Sequence, residues 1–363
     1  MTETTTIPAS HVIIDQQDST GRIILSRPEA LNAVSREMCE IIIKALLAWA
    51  DDATVDRVLI TAVPGRAFCA GGDVRSIIPL IEENPAYGDD YFATEYTLDV
   101  LITACPKPVI TIANGLTMGG GAGLLVNAAY PVVTDAIDFS MPETAIGLFP
   151  DVAASLFYRR PPGAVGTFLG MTGWRIGAGD MIALGIVPHA VSAGAEDDLV
   201  SALISCPADN IPETLAEFHI TPPESPVADA AGWINDHFSK PDPLSIRASL
   251  EGDDHPFAER ARQALDTRCP LSIALTHRLL TDPALRAENV VDAIRLDYRL
   301  ACQMLRHPDF ITGVRAVLID KHHNPVWQPA SLDGVTNAMV DAIVTPENSP
   351  QLPLPERVGT VTL

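Results

Sequence analysis

The sequence predicts an α/β protein whose carboxy-terminal part is helical. Short β-branched runs alternate with helical patterns through about the first 200 residues, which is typical of a largely parallel sheet flanked by helices. Long helical patterns return from residue 245 to about residue 304. Of the 363 residues, 47% are hydrophobic and 19% are charged, so the chain can form a large packed core.

The elements of the first half follow from the spacing of apolar residues. Residues 11–15 and 22–26 are expected to form a hairpin, because polar turn residues separate two short strand patterns. Residues 35–50 have apolar side chains at helical spacing, and Ser35 is a suitable N-cap. The later segments are a strand at 57–61, a loop at 64–73, a helix at 89–104 and a buried strand at 108–113.

The length suggests about two domains. Changes in proline content and in hydrophobic periodicity divide the chain into four parts. Residues 10–205 are expected to form the core, and residues 206–244 an irregular, proline-rich connection. Residues 245–345 are expected to form a helical region, and residues 346–363 a loose tail.

The charge of the chain argues against two kinds of partner. The sequence has 24 Lys and Arg residues against 46 Asp and Glu residues, a formal net charge of −22 at pH 7. Nucleic acids and anionic membrane surfaces are bound by clustered basic side chains, so we expect neither as a partner. Residues 108–134 are uncharged, but glycines and Pro131 interrupt them. A strand, a glycine turn and a buried helix are therefore expected there, not a membrane-spanning helix.

The cysteines and the first residues bear on compartment. The six cysteines stand far apart without any C-x-x-C pair, so we expect neither a disulfide framework nor a metal site. The first residues have no basic or apolar segment typical of a secretory signal, and they are not arginine-rich like a transit peptide. A cytoplasmic protein is therefore expected.

Two glycine clusters each follow a predicted strand, one at Gly71–Gly72 and one from Gly119 to Gly123. Neither fits the G-x-G-x-x-G or G-K-[ST] pattern of nucleotide-binding loops. They could simply permit tight turns and close packing of strand against helix. Together they could also direct two bare N–H groups at one oxygen, as an oxyanion hole does, with the second cluster adding the positive end of a helix dipole.

Glu143 and Asp151 are the charged residues of the otherwise apolar stretch 139–151. Burial raises the pKa of a carboxyl group toward neutrality, which suits a general acid or base. Two structural roles remain open: Asp151 could cap a helix beginning at Val152, and Glu143 could bind backbone N–H groups. The sequence lacks the G-x-S-x-G and H-E-x-x-H patterns of other hydrolases.

These motifs resemble those of the crotonase (enoyl-CoA hydratase/isomerase) superfamily. Residues 26–33 (SRPEALNA) are similar to its coenzyme A loop, and residues 67–73 (AFCAGGD) and 114–121 (NGLTMGGG) to its two oxyanion-hole segments. The resemblance implies a crotonase-like ββα spiral core in which the N–H groups of Gly72 and Gly120 are the oxyanion donors. It also implies a homo-oligomer, either a trimer or a hexamer.

One departure points to a branch of this superfamily. Hydratases carry a catalytic glutamate where this chain has Gly123, and their second glutamate corresponds to Glu143. The pattern is instead similar to that of 3-hydroxyisobutyryl-CoA hydrolases. The matching segments are residues 118–123 and 141–151, Glu95-Tyr96, and residues 309–321 with Pro325 and Trp327.

The hydrolase resemblance implies an activity. It implies hydrolysis of a short β-hydroxyacyl-CoA, foremost 3-hydroxyisobutyryl-CoA, in valine catabolism. Coenzyme A is then part of the substrate, and no cofactor is needed. Enoyl-CoA hydratase/isomerase activity and non-catalytic acyl-CoA binding are the alternatives.

The resemblance also implies roles for the candidate residues. Glu143 would activate water as a general base or attack the thioester directly. Asp151 would hold the substrate hydroxyl or assist proton transfer to the leaving thiolate. Glu95 is a candidate for substrate contact, although a solvated helix face would explain it equally. The other substrate-binding candidates are Arg27, Ala70 and Asp73.

Two further features bear on substrate binding. Coenzyme A is anionic, so an acidic protein must supply local positive charge. Arg27 is best placed by the resemblance, with Arg66 and Arg75 also near the motif loops, although each could equally be an exposed charge of little effect. Residues 153–155 (AAS) stand where this branch more usually has glycines, which is expected to narrow the acyl pocket.

Overall fold

The computed structural model describes residues 11–221, 223–345, 350–359 and 361–362. Its two main sheets are built from nine of the described strands. The larger sheet has the spatial order β1 (Val12–Gln17), β2 (Thr20–Leu25), β3 (Arg57–Ala62), β5 (Val109–Ala113), β7 (Tyr130–Thr134) and β9 (His189–Val191). The smaller sheet has the order β4 (Ala67–Cys69), β6 (Leu116–Met118) and β8 (Asp138–Ser140).

The strand pairing makes a spiral. Strands β1 and β2 pair antiparallel with Gln17 opposite Thr20, which confirms the predicted hairpin. The other neighbouring pairs of the two sheets are parallel. Successive strands enter alternate sheets, β3 then β4, β5 then β6, and β7 then β8, and helices return the chain between these pairs. This is the ββα spiral that the resemblance implied.

Seven helices accompany the spiral as far as β9 in the described chain. They are α1 (Arg36–Ala50), α2 (Val74–Glu83), α3 (Ala86–Ala104), α4 (Gly120–Val126), α5 (Ala154–Phe157), α6 (Val165–Thr172) and α7 (Ala178–Ala183). The predicted N-cap of α1 is confirmed, because the Ser35 side chain accepts a hydrogen bond from the Met38 N–H. The predicted loop 64–73 instead contains β4, whose three residues are too few to show a period.

The remaining helices cover the carboxy-terminal part. They are α8 (Glu196–Ser205), α9 (Ile211–Phe218), α10 (Pro226–Asp229), α11 (Ala231–Phe238), α12 (Pro243–Ser249), α13 (Ala258–Thr267), α14 (Pro270–Thr281), α15 (Val290–Met304), α16 (Pro308–Val314) and α17 (Asn337–Val344). A π-helical turn, Arg315–Ile319, continues α16. The predicted helical region is confirmed.

The prediction of an irregular connection at 206–244 is wrong. Helices α9, α10 and α11 lie within this stretch, and α12 begins there. Pro212, Pro226 and Pro243 each stand in the first turn of a helix. A proline there loses no intrahelical hydrogen bond, because the first N–H groups of a helix have no partner within it. These three prolines therefore begin helices and do not interrupt them.

The helical part packs on the spiral through continuous apolar contacts. One cluster of buried side chains runs from Val12 in β1 to Val358 near the carboxy terminus. A second cluster lies on the other face of the larger sheet, where Leu203 of α8 and Leu215 of α9 cover Leu59 and Ile110. Both faces of the central strands are therefore buried, which explains their mainly apolar sequence.

The described part of the tail is not loose, contrary to the prediction. Strands β10 (Arg357–Val358) and β11 (Val361–Thr362) pair antiparallel, and Val358 is fully buried. Residues 346–349, 360 and 363 lie outside the described chain. Residues 108–134 form β5, β6, α4 and β7, as expected, and no helix in the described ranges has the length and apolarity to cross a membrane.

We expect Leu203→Ala to lower the free energy of unfolding by about 2–5 kcal/mol, because Leu203 is fully buried between α8 and the larger sheet. Leu244→Ala is the control, since Leu244 is 45% exposed, and its effect should stay within about 0.5 kcal/mol. Urea unfolding followed by circular dichroism measures both. Equal effects would show that α8 does not cover the sheet.

Candidate active site

A cavity of about 290 Å³ lies at one edge of the smaller sheet. Because β4, β6 and β8 are parallel neighbours, the segments that follow them meet at this edge. Residues 70–72 and 118–120 contribute to its wall, together with six residues between Pro142 and Asp151. Wall residues from elsewhere include Leu31, Val74, Phe92, Glu95, Val317 and Leu318.

The two predicted oxyanion glycines lie next to each other in this cavity. Gly72 follows β4 and Gly120 begins α4, and a Cβ added to Gly120 would lie 3.2 Å from the Gly72 nitrogen. The preceding residues, Gly71 with a φ of 107° and Gly119 with a φ of 48°, are in the left-handed region that favours glycine. Neither the Gly72 nor the Gly120 N–H donates a hydrogen bond within the described part of the chain. Two adjacent donors are the arrangement that an oxyanion needs.

Glu95 of α3 lies against both glycines. Its Oε1 would be 2.9 Å from a Cβ on Gly72 and would overlap a Cβ on Gly120. The side chain is 5% exposed, so it is not on a solvated helix face. Burial raises the pKa of the Glu95 carboxyl well above its usual value, and the nearby carboxylates of Asp151, Asp99 and Glu143 raise it further.

Glu143 begins a short 3-10 turn, Glu143–Ala145, in the segment after β8. Its side chain is buried, with Oε1 3.0 Å from the position of a Cβ on Gly119, and Oε2 has no hydrogen-bond partner in the described chain. Burial raises the pKa of the Glu143 carboxyl well above its usual value. The Asp151 carboxylate raises this pKa further, and the guanidinium of Arg268 opposes both. Such a carboxyl is a stronger base than an exposed one, which suits a group that accepts a proton.

Asp151 lies in the same cavity and is held by α3. The Tyr96 hydroxyl donates a 2.6 Å hydrogen bond to Asp151 Oδ2. Burial raises the pKa of Asp151 to about 6, and the Tyr96 hydroxyl opposes this rise. Helix α5 begins at Ala154 without a side-chain cap, so Asp151 does not cap a helix.

The chain turns sharply after Asp151. Val152, with a φ of 48°, and Ala153, with a φ of 67°, are both in the left-handed region. The carboxylate of Asp297 in α15 stabilises this turn by accepting a 2.8 Å hydrogen bond from the Ala153 N–H. The alanines at 153 and 154 do not line the cavity, so they do not narrow the pocket as predicted. They are buried, and Ala153 takes a conformation that glycine adopts without strain.

Sequence analysis did not single out Asp99, Asp297 or Arg268. Asp99 is four residues after Glu95 in α3, and this spacing places both on one helix face. Asp297 lies among buried residues of α15, a position that is normally apolar. Each is therefore visible as a carboxylate on an apolar helix face. Nothing comparable marks Arg268, which reaches the site from the junction of two helices.

Within the residues that the structure describes, no group of three or more His, Cys, Asp or Glu side chains is placed to hold a metal ion.

The predicted substrate-binding residues divide into two groups. Ala70 lines the cavity beside the glycines. Arg27 and Asp73 lie outside its wall and bind each other, with 2.7 Å between Arg27 Nη1 and Asp73 Oδ2. Asp73 also caps α2, since it accepts a hydrogen bond from the Ser76 N–H. Arg66 and Arg75 are exposed.

The carboxy-terminal segment closes the cavity. Helix α16 packs directly on residues 146–147, where a Cβ on Gly147 would lie 2.6 Å from the carbonyl carbon of Asp309. The π-helical turn after α16 then contributes Val317 and Leu318 to the wall. Residues 309–321, which resemble the hydrolase branch, therefore touch both the segment with Glu143 and the cavity itself.

The fold and the paired glycine turns define a crotonase-type protein, and sequence comparison agrees. A family model described as enoyl-CoA hydratase/isomerase matches residues 20–344. The chain therefore belongs to the enoyl-CoA hydratase/isomerase family, and the predicted resemblance is confirmed.

Similar curated proteins share nearly the whole chain. A relative from Gallus gallus, named 3-hydroxyisobutyryl-CoA hydrolase, mitochondrial, is 38% identical over 95% of this chain and 91% of its own. The protein of the same name from Homo sapiens is 36% identical over 90% of this chain and 86% of its own. These names belong to the branch that the motifs resemble.

Two solved structures are similar over most of their length. A structure described as a carnitinyl-CoA dehydratase from Mycobacterium thermoresistibile has a TM-score of 0.87 and 33% identity, covering 94% of this chain and 98% of its own. One described as an enoyl-CoA hydratase from Rhodobacter sphaeroides has a TM-score of 0.87 and 36% identity, covering 93% and 98%. The predicted fold class is confirmed.

The prediction of a cytoplasmic protein is wrong by this comparison, because the curated relatives are named as mitochondrial proteins. The prediction rested on widely spaced cysteines, which fit any reducing compartment, and on the character of the first residues.

We expect Tyr96→Phe to raise the pKa of Asp151 above about 6, because the variant removes the hydroxyl that stabilises the carboxylate. The titration of Asp151 is measured by carboxyl 13C NMR, with the resonance assigned by its loss in Asp151→Asn. Tyr158→Phe is the control, since it removes another buried hydroxyl that is not bonded to Asp151. An unchanged Asp151 titration in Tyr96→Phe would contradict the assigned role of this hydrogen bond.

Asp99→Asn should stabilise the protein at pH 8 but have little effect at pH 4. Burial raises the pKa of Asp99 well above its unfolded value, so the folded state loses stability as pH rises through the folded pKa. An asparagine removes that loss. Urea unfolding across this pH range measures it, with the exposed Asp209→Asn as control. A gain that is equal at both pH values would refute the electrostatic explanation.

Proposed function

We propose that this protein hydrolyses the thioester of a short β-hydroxyacyl-CoA, foremost 3-hydroxyisobutyryl-CoA, to coenzyme A and the hydroxy acid. The observation that carries the proposal is the position of Glu143. Its carboxyl, with Oε2 unpartnered in the described chain, shares a small cavity with the adjacent Gly72 and Gly120. Relatives named for this reaction are similar over nearly the full chain.

The two glycines would bind the reacting carbonyl. The thioester oxygen accepts hydrogen bonds from the Gly72 and Gly120 N–H groups, and these bonds strengthen as the oxygen becomes negative in the tetrahedral intermediate. One such donor typically contributes about 10²–10³ in rate. The start of α4 adds the positive end of its backbone dipole at the same place.

Glu143 then supplies the attacking group by one of two routes. As a general base it takes a proton from water, the hydroxide attacks the carbonyl carbon, and the C–S bond breaks to release the thiolate. As a nucleophile its oxygen attacks that carbon and expels the thiolate, and water hydrolyses the resulting anhydride. Both routes need an ionised Glu143.

Asp151 would bind the substrate hydroxyl or transfer a proton. With a pKa of about 6, its carboxyl exchanges protons near neutral pH. It either holds the β-hydroxyl of the substrate or passes a proton to the departing thiolate.

Glu95 has a different part because it lies against the oxyanion donors. An ionised carboxyl there would repel the developing oxyanion. Burial and three neighbouring carboxylates raise the pKa of Glu95, and in the proposed mechanism Glu95 stays protonated and neutral while Glu143 acts. A neutral Glu95 can contact the substrate without opposing the charge of the intermediate.

A specific observation argues against the hydratase alternative. The position that carries one hydratase glutamate is Gly123, and a Cβ there would lie 2.9 Å from Val152 Cβ and would overlap Asp99 Oδ1. Asp99 and Val152 fill the space that such a side chain would need. Neither Gly123 nor Asp99 reaches the cavity wall, so no second base of the hydratase kind stands there.

Two features of the sequence resemblance stay part of the proposal. Arg27 would bind a negatively charged group of coenzyme A. Its guanidinium would then contact both that group and Asp73, with which it already forms an ion pair. A trimer or a hexamer is the expected assembly, which sedimentation measures.

We expect the purified protein to release thiol from 3-hydroxyisobutyryl-CoA and to leave crotonyl-CoA unhydrated. Glu143→Gln should lower turnover about 100-fold or more while still binding substrate, because the base is lost. Glu95→Gln should keep most activity, since glutamine is neutral like the protonated acid. A thiol-release assay and calorimetric binding measure these results.

Glu83→Gln is the matched control, because Glu83 is an exposed glutamate of α2. Hydration of crotonyl-CoA without thiol release would establish the hydratase alternative. Tight binding of acyl-CoA without turnover would establish a binding protein.

A further inference from the structure

Arg268 lies behind Glu143, at the junction between α13 and α14. Its Nη1 donates hydrogen bonds to the carbonyl oxygen of Pro142, at 3.3 Å, and to Thr144 Oγ1, at 2.9 Å. The next residue extends this contact, because the Cys269 N–H donates a 2.9 Å hydrogen bond to the carbonyl oxygen of Thr144. The residues before and after Glu143 are therefore both bound by this one junction.

The surroundings of Arg268 fit its guanidinium closely. Thr144 is fully buried, and its hydroxyl donates to the carbonyl oxygen of Met171, so it accepts from Arg268 in a fixed orientation. A Cβ on Gly173 would lie 2.7 Å from Arg268 Nη1. Glycine at 173, with a φ of 54°, leaves the space that the guanidinium occupies.

The charge of Arg268 also acts on Glu143. In the described part of the chain, the titratable and charged groups that interact with Glu143 include the carboxyls of Asp151 and Glu95, the hydroxyl of Tyr158 and the guanidinium of Arg268. The Asp151 carboxylate opposes ionisation of Glu143, and Arg268 favours it. Burial lowers the pKa of Arg268 to about 10, so Arg268 is still a cation at neutral pH.

We propose that Arg268 is a positioning residue that holds the turn bearing Glu143 and favours the ionised form of Glu143 through its charge. The inference rests on the proposed function only in so far as Glu143 is the reacting group. It assigns to the helical region an indirect part in the chemistry, through one side chain that acts on Glu143 without lining the cavity.

The test separates the charge of Arg268 from its hydrogen bonds. Arg268→Met removes both, so the acid limb of the kcat/KM profile should move to higher pH by about one unit, and kcat should fall with KM nearly unchanged. Arg268→Lys and Thr144→Val keep the positive charge but remove one or both of the hydrogen bonds that Arg268 donates to Pro142 and Thr144. They should lower kcat and leave the acid limb in place.

Arg262→Met is the control for loss of a positive charge. Arg262 lies in α13 and pairs at the surface with Glu259 and Asp266, so its loss should move neither kcat nor the acid limb. The proposal would be overturned if the acid limb of the kcat/KM profile lay at the same pH in Arg268→Met as in the wild type. It would also be overturned if Arg262→Met shifted the acid limb as much as Arg268→Met does. If Arg268→Met does not fold, an acid limb shifted in Arg268→Lys or Thr144→Val overturns it.

A second readout does not depend on the identity of the substrate. The Glu143 carboxyl is titrated by 13C NMR, with its resonance assigned by its loss in Glu143→Gln. Arg268→Met should raise the pKa of Glu143 even if 3-hydroxyisobutyryl-CoA is not hydrolysed. Failure of thiol release with a shifted Glu143 would reject the proposed function alone, and thiol release with an unshifted Glu143 would reject the role of Arg268 alone.

Discussion

Five carboxyl groups lie buried beside one cavity, and their mutual repulsion governs how the site can work. Glu95, Asp99, Glu143, Asp151 and Asp297 are each at most 6% exposed. Burial raises the pKa of every one of them. Because ionising one group disfavours ionising its neighbours, the cluster can divide protonation states among its members. A fold that holds neutral and ionised acids side by side can place a base and an acid in one small space.

This arrangement is held by polar contacts from outside the spiral. The segment from Pro142 to Ala153 carries both Glu143 and Asp151, and it forms little regular structure of its own. Arg268 and Cys269 bind its beginning, α16 packs on its middle, and Asp297 binds its end. The left-handed backbone at Val152 and Ala153 persists because these neighbours over-determine it. The helical region thus supports the segment that carries Glu143 and Asp151.

Local signals predicted the hairpin, the helix capped by Ser35, the buried strand at 108–113 and the glycine turns, because each depends on residues close in sequence. The prolines between 206 and 244 gave a wrong prediction of irregular structure. A proline can end one element or begin the next, and its neighbours decide which. The sequence likewise did not decide whether Glu95 is buried, because a glutamate on a helix is solvated unless another element covers it. The two glycine turns cover Glu95, and their residues Gly72 and Gly120 lie 23 and 25 positions away from it along the chain.

The sequence by itself determined the fold family, the two glycine turns and the candidate pair Glu143 and Asp151, because these depend on residue type and order. Only the tertiary structure decided that Gly72 and Gly120 are adjacent, through the parallel pairing of β4 with β6. It also decided that Tyr96 binds Asp151, that Asp99 fills the space at Gly123, and that Arg268 stands behind Glu143. These contacts join residues that are 24 to 124 positions apart, as from Asp99 to Gly123 and from Thr144 to Arg268. Their physical basis is the packing of one element on another, which no local pattern records.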